Sequence, residues 1–206
     1  MPRCLGITAL LSGLLVTTVS AEPIKRMDFG KLDLGAKIVG PVGPGVEVSL
    51  INSDETSVGD LRSSVNCPSG LTKCFPSKNP AGSVYTYSHT VTPGRDKPND
   101  PPFPQPENVL GFDDVNGFGL DFEAAGFNGV AGYDFAEADA AGVSFSIERT
   151  ESGRLVWATD SDDWDTGEPI TFFWQTTHAP VGPTGVYTIW NGTGRGAGKG
   201  PVPAAR

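Results

Sequence analysis

Acidic residues gather in one short stretch of the second half of the chain. Five acids fall within nine positions around a lone Trp164: Asp160, Asp162, Asp163, Asp165 and Glu168. Carboxylate oxygens are the ligands that calcium prefers, but an EF-hand-type loop needs an oxygen ligand at position 5 and glycine at position 6. Counted from Asp160, those positions hold Trp164 and Asp165. Two interpretations follow. One is a calcium site of another kind at Asp160, Asp162, Asp163 and Asp165; the other, which we favour, is a solvated hairpin loop leading into a strand.

Aromatic residues in or near predicted strands offer a second kind of chemistry. Flat rings on an outer sheet face could stack on sugar rings, and Trp164, Tyr187 and Trp190 are the candidates. In alternating strands such rings more commonly pack into the core. The sequence therefore leaves a carbohydrate-stacking surface as the alternative to core packing.

Motifs for other catalytic machinery are missing from the sequence. It has two histidines, His89 and His178, and neither an HExxH nor a G-x-S-x-G pattern. A glycosidase needs two carboxylates facing one sugar, and no spacing among the 24 acids singles out such a pair. We therefore expect a protein that is not an enzyme and has no catalytic residues, with a polysaccharide-active enzyme as a lesser alternative.

The first 21 residues have the pattern of a secretory signal peptide. Arg3 provides the basic region, an apolar run extends to Val19, and small residues precede a cleavage point after Ala21. The run is shorter than the roughly 20 apolar residues of a spanning helix. We expect a secreted, extracellular product, with the periplasm or cell surface as other destinations, and no membrane insertion after cleavage.

The charge balance excludes some partners. Cleavage removes Arg3 and no acid, so the net charge of −9 becomes −10. Nucleic acid and anionic lipid would both be repelled by such a chain. Extracellular polysaccharide or other matrix components remain as partners.

Cys67 and Cys74 are the two cysteines left after cleavage. Pro68, Ser69 and Gly70 between them can turn the chain. In an oxidising compartment this spacing predicts a local disulfide, with two free thiols as the alternative.

Alternating apolar and polar residues predict a mainly β protein. Short strands are expected in GVEVSLIN, SVYTYSHTV, VSFSIE, PITFFWQTT and VYTIW, and one short helix after Asp134, with Glu137 completing a capping box. Turn signals between the strands predict an antiparallel β-sandwich or jelly-roll-like single domain over 22–192, with long loops. Six prolines make 93–108 a surface loop, and the glycine-rich 193–206 is predicted to be a flexible tail.

Three segments resemble exported bacterial proteins of the choice-of-anchor type. They are YTYSHTVTPGRDKPNDPPFPQPENVLGF, AAGFNGVAGYDFAEADAAG and GRLVWATDSDDWDTGEPITFFWQTTHAPVGPTGVY. In that family a shared extracellular domain precedes differing C-terminal sorting tails, the PEP-CTERM tail among them. The resemblance covers about 83–203. Here the residues up to Arg206 contain no hydrophobic sorting span, so either the protein is released or the tail is missing from the sequence.

Together these observations predict a secreted, non-enzymatic protein of the extracellular or envelope matrix. The resemblance implies such a surface or matrix role and supplies no catalytic residues. No cofactor is expected for such a protein. The first alternative is a carbohydrate-binding module, for which calcium is the candidate cofactor. The second is a polysaccharide-active enzyme.

Overall fold

The computed structural model describes residues 22–39 and 43–205, so the predicted signal peptide at 1–21 lies outside the described residues. Within them the chain forms twelve strands, one α-helix and two 3₁₀ turns. The strands are β1 Glu22–Pro23, β2 Arg26–Asp28, β3 Val46–Ile51, β4 Ser57–Asn66, β5 Tyr85–Pro93, β6 Gly117–Leu120, β7 Phe127–Tyr133, β8 Ser146–Arg149, β9 Leu155–Ala158, β10 Ile170–Thr176, β11 Pro180–Trp190 and β12 Arg195–Pro203. The helix α1 is Phe135–Ala140, and the 3₁₀ turns are Phe29–Lys31 and Pro76–Lys78.

The strands form one hydrogen-bonded sheet that folds back on itself. Their order is β1-β8-β9-β6-β11-β12-β3-β4-β5-β10-β7-β2, and all neighbours are antiparallel except β2 and β7. The β12–β3 junction rests on a single register pair, Ala197 with Ile51, so the ladder is narrowest there.

Strands that are distant in this order touch face to face. The ring of Phe118 in β6 stacks on Phe172 in β10 with centroids 4.6 Å apart. Tyr187 in β11 lies 4.0 Å from His89 in β5. These contacts make two layers around one aromatic core, and they confirm the predicted mainly β, sandwich-like fold with a single short helix.

Strand β10 is buried on both faces, although its alternation suggests one covered face. Phe172 packs into the sandwich core, as expected. Phe173 points the other way and is also fully buried, because the 3₁₀ turn places Phe29 against it with centroids 5.7 Å apart. The strand is therefore a central element covered from outside by the N-terminal segment.

Helix α1 begins where the sequence predicts. The Asp134 side chain accepts hydrogen bonds from the backbone N–H groups of Ala136 and Glu137 at 3.0 and 3.1 Å. The predicted capping box is wrong, since the Glu137 carboxylate instead accepts from the backbone N–H of Thr171 in β10 at 2.6 Å. The side chain thus ties the helix to the sheet, and partial burial raises its pKa.

The segment from Glu22 to Asp28 closes both edges of the sheet. Strand β1 pairs with β8 at one edge, and the backbone N–H of Ile24 extends this contact to the carbonyl of Ile147 at 2.8 Å. Strand β2 then crosses to pair with β7 at the other edge. The edge strands of the sheet are therefore only two and three residues long, and such short edges limit edge-to-edge aggregation.

The predicted flexible tail at 193–206 is wrong, because Arg195–Pro203 form strand β12. This strand pairs with β11 along most of its length, with Tyr187 opposite Gly198. Its glycines serve close packing: a Cβ added at Gly200 would lie 2.8 Å from both Ser63 Oγ and the Tyr187 ring. Glycine here provides room for the core beneath it.

The proline-rich loop lies on the outer face of β3. The Asp100 carboxylate accepts from the backbone N–H of Glu47 at 2.9 Å, and the Asp96 carboxylate accepts from Ser49 Oγ at the same distance. Residues 94–108 form no strand or helix, as the prolines predict. The loop is fastened to the sheet by its acids.

Cys67 and Cys74 lie at disulfide distance, with their Sγ atoms 1.96 Å apart.

No helix in the described part of the chain is long and apolar enough to cross a membrane.

Candidate functional site

Trp164, at the centre of the acidic stretch, is fully buried. Its Nε1 donates to the carbonyl of Glu168 at 2.8 Å, and its ring packs against Phe145 and Phe172, both with centroids 5.6 Å away. The predicted sugar-stacking role of Trp164 is therefore wrong. The acidic stretch is thus held to the core by the buried indole of Trp164, and it leads directly into β10.

Of the two other predicted stacking residues, Tyr187 is buried, whereas the stacking role of Trp190 stays a prediction. Tyr187 is fully buried and its hydroxyl donates to the carbonyl of Pro201, so its predicted stacking role is wrong. Trp190 is half-buried, and its indole occupies the space above Gly117, where a Cβ would lie 2.0 Å from ring atoms. The ring lies flat on β6 because glycine leaves room for it.

The acids around Trp164 organise the turn. Asp165 accepts from the backbone N–H of Asp114 at 3.1 Å, and Glu168 accepts from the backbone N–H of Asp165 at 2.8 Å. Asp163 accepts from the Ser161 hydroxyl. Over residues 22–39 and 43–205, no three Asp, Glu, His or Cys side chains are grouped to hold a metal ion. The calcium interpretation for Asp160, Asp162, Asp163 and Asp165 stays a prediction.

A serine and a histidine meet in the core. Ser63 Oγ and His89 Nδ1 are 2.9 Å apart, and both residues are fully buried. An indole N–H can only donate, so the contact of Trp174 Nε1 with His89 Nε2 at 3.4 Å makes Nε2 an acceptor. The proton of neutral His89 then sits on Nδ1 and is donated to Ser63. In this tautomer His89 cannot act as the base for Ser63, and burial lowers the pKa of His89 to about 3.

A second polar group lies under the proline-rich loop; we call Glu47, Asp60 and Lys97 the carboxylate clasp. Lys97 Nζ lies 3.8 Å from Glu47 Oε1 and 3.6 Å from Asp60 Oδ2. The Asp60 side chain is 1% exposed, and burial raises its pKa. Burial, together with the nearby charge of Asp60, also raises the pKa of Glu47. Through Lys97, the clasp holds the proline-rich loop to strands β3 and β4.

An open groove of about 800 Å³ lies beside β1 and β8. Pro23 and Ile24 of the N-terminal segment form its apolar side. We call it the edge groove and define it by six of its eight polar lining residues: Arg26, Asp139, Ser144, Ser146, Glu148 and Asp160. They come from β2, the last turn of α1, β8 and the residues just before it, and the loop after β9.

The polar groups of the edge groove are mostly left for solvent. Arg26 Nη1 donates to the Phe145 carbonyl at 3.5 Å, and Ser146 Oγ donates to the Ala158 carbonyl at 3.1 Å. The carboxylates of Asp139, Glu148 and Asp160 form no ion pair within the described residues. The groove therefore offers three carboxylates, one guanidinium and serine hydroxyls to a ligand.

Sequence reasoning found part of this site. The alternation of 143–148 placed Ser144, Ser146 and Glu148 on one face, and Asp160 belonged to the acidic stretch. Arg26 and Asp139 were missed because no local pattern links them to β8. Only the crossing of the N-terminal segment and the position of α1 bring them there.

Comparisons with family models, with curated proteins and with solved structures find no match for this chain.

Proposed function

We propose that this is an exported, non-enzymatic β-sandwich protein of the extracellular or envelope matrix, of the choice-of-anchor type. The observation that carries the proposal is the Cys67–Cys74 pair at disulfide distance. Disulfides persist in exported proteins and are rare in the cytosol. The signal-peptide pattern of residues 1–21 supports the same compartment.

The absence of enzymatic activity is part of the proposal, and two features support it. His89 has both nitrogens engaged in the core, where neither it nor Ser63 is accessible to a substrate. The carboxylates with raised pKa in the clasp lie beneath the proline-rich loop and are engaged by Lys97. Side chains suited to acid–base chemistry are thus used to hold the fold together.

Carbohydrate binding is the second candidate function, and the edge groove favours it. No aromatic residue of the described chain lines this groove, so recognition of a polysaccharide there would depend on hydrogen bonds and charge. The groove is lined by side chains that make both kinds of contact.

The export proposal is tested by expressing the chain with its own leader in a Gram-negative host and fractionating the culture. We expect the product in the periplasm or medium, with Glu22 as its N-terminal residue. Its intact mass should lack two hydrogen atoms that return on reduction. The Cys67→Ser/Cys74→Ser variant is the control for the mass change. A product retained in the cytosol with residues 1–21 attached and both thiols free would refute the proposal.

A further inference from the structure

We propose that the edge groove binds a polysaccharide built from amino sugars with free amino groups. The groove carboxylates would hold the ammonium groups of such a polymer, and the serine and arginine side chains would hold its hydroxyls. This inference rests on the proposed extracellular function, because that is where the chain would meet such a polymer.

The row of polar side chains along β8 gives the groove a direction. Ser146 and Glu148 lie two residues apart in β8 and are exposed, and Ser144, also exposed, lies just before the strand. Alternate residues of a strand are about 6.6–6.8 Å apart. An extended polymer lying along β8 can therefore contact Ser146 and Glu148 in turn, with Ser144 near the start of the strand.

The chemistry of the lining suits hydroxyl-rich ligands. Serine hydroxyls donate and accept, carboxylates accept, and the guanidinium of Arg26 donates through several N–H groups. No aromatic ring is among the described residues that line the groove. Binding must then come from hydrogen bonds and charge, which makes the sign of the ligand charge decisive.

Three carboxylates against one guanidinium make the groove acidic. The chain as a whole carries a net charge of −9, so polymers of uronic acids would be repelled. Ammonium groups would be attracted, and that attraction weakens as salt rises. A polymer with both hydroxyls and ammonium groups matches the whole lining.

The groove acids are not neutralised by a basic side chain of the described residues. The ion pairs of the described residues involve Asp28, Glu47, Asp60 and Asp121, which pair with Lys or Arg of the same chain. Asp139, Glu148 and Asp160 have no such partner in this part of the chain. Their charges remain available to a cation from outside.

The test titrates the purified chain with the fully deacetylated glucosamine hexamer, by calorimetry at low salt. The fully N-acetylated hexamer, which lacks the charges, is titrated in parallel. Glu148→Gln and Asp160→Asn each remove one groove charge. Glu107→Gln removes one exposed charge outside the groove and is the matched control.

We expect binding of the deacetylated hexamer, weaker binding of the acetylated one, and further weakening with added salt. Each groove variant should lower affinity about two- to fivefold, as expected for an exposed ion pair, while Glu107→Gln leaves it unchanged. Equal affinity for the two hexamers, no binding, or equal effects of all three variants would overturn the proposal. Tight binding of an oligolysine with the same sensitivity to the variants would overturn the assignment to a sugar polymer.

Failure here is separable from failure of the proposed function. An exported chain that does not bind the hexamer overturns the groove assignment alone. A chain retained in the cytosol overturns the export proposal, while titration of the purified protein still decides the groove chemistry.

Discussion

His89 accepts a hydrogen bond from the indole of Trp174 at 3.4 Å, and its other nitrogen lies 2.9 Å from Ser63 Oγ. The imidazole is fully buried and cannot be charged without losing the first of these bonds. Burial lowers the pKa of His89 to about 3, against the usual value of 6.5. The residue therefore links the stability of the sandwich to pH.

The sign of this linkage follows from where the proton binds. Below pH 6.5 the unfolded chain takes up a proton at His89 that the folded chain refuses until about pH 3. Stability should fall by about 1.4 kcal/mol per pH unit in that window. Between pH 7 and pH 5 the loss is about 2 kcal/mol, measured as the free energy of unfolding in urea.

The His89→Gln variant should lack this acid-dependent part of the loss, although it is less stable at pH 7 as well. His178→Gln is the control, since it removes the other histidine and keeps His89. Burial raises the pKa of Glu47, Asp60, Asp96 and Glu137 in the folded chain, which works in the opposite direction at lower pH. An equal pH dependence in the wild type and His89→Gln would contradict the assignment.

Strand β12 predicts a sharp difference between two glycine substitutions. A Cβ at Gly200 would lie 2.8 Å from Ser63 Oγ and from the Tyr187 ring, whereas one at Gly192 meets nothing within 4 Å. Gly200→Ala should lower the free energy of unfolding by about 1–3 kcal/mol, as overpacking of a core does. Gly192→Ala should change it little. Equal, small effects would mean that the C-terminal segment is not packed as described.

The carboxylate clasp predicts that Lys97 supports a buried charge. Lys97→Met leaves the nearly inaccessible Asp60 carboxylate without its ammonium partner. We expect a loss of about 1–2 kcal/mol, less than for a fully buried pair because the Lys97 side chain is half-exposed. The loss should shrink as pH falls, since burial raises the pKa of Asp60 and protonation removes the unpaired charge.

Two further variants sharpen this test by urea unfolding. Lys97→Met combined with Asp60→Asn should recover part of the stability at pH 7. Lys73→Met, at an exposed lysine without an ion pair among the described residues, should have little effect. A deficit in Lys97→Met that does not change with pH would argue against the clasp.

Trp164 predicts a stability effect without a binding effect. Its ring fills core space against Phe145 and Phe172, so Trp164→Ala should cost about 3–5 kcal/mol. Trp164→Phe keeps most of the volume but loses the hydrogen bond to the Glu168 carbonyl, and should cost less. Affinity of folded Trp164→Phe for the glucosamine hexamer should match the wild type. A large loss of affinity there would restore a ligand role for this tryptophan.

Alternation in the sequence predicted the strands and the paired layers, because the two faces of a half-buried strand differ in polarity. It could not say which outer faces another segment would cover. Phe173 illustrates this, since its face of β10 is buried by Phe29, which precedes it by more than a hundred residues. Sugar stacking was an open alternative for Trp164 and Tyr187 because the sequence did not show that both rings are covered.

A glycine-rich segment can be either flexible or closely packed, and the sequence alone does not distinguish the two. In 193–206 its frequency indicated flexibility, whereas Gly196, Gly198 and Gly200 are close-packed positions of a strand. Likewise, the spacing of Asp134 and Glu137 predicted a capping box correctly only at Asp134, because a backbone N–H of β10 lies within reach of Glu137. The edge groove depends on topology in the same way.

The segment from Glu22 to Asp28 holds a strand at each edge of the sheet. Because it pairs through only a few residues at each edge, its detachment would expose the backbone N–H and C=O groups of β7 and β8 at the same time. The same short segment also contributes Pro23, Ile24 and Arg26 to the edge groove, so the pairing of both sheet edges and the shape of the groove depend on it together. With cleavage after Ala21, this segment would begin at the first residue of the released chain.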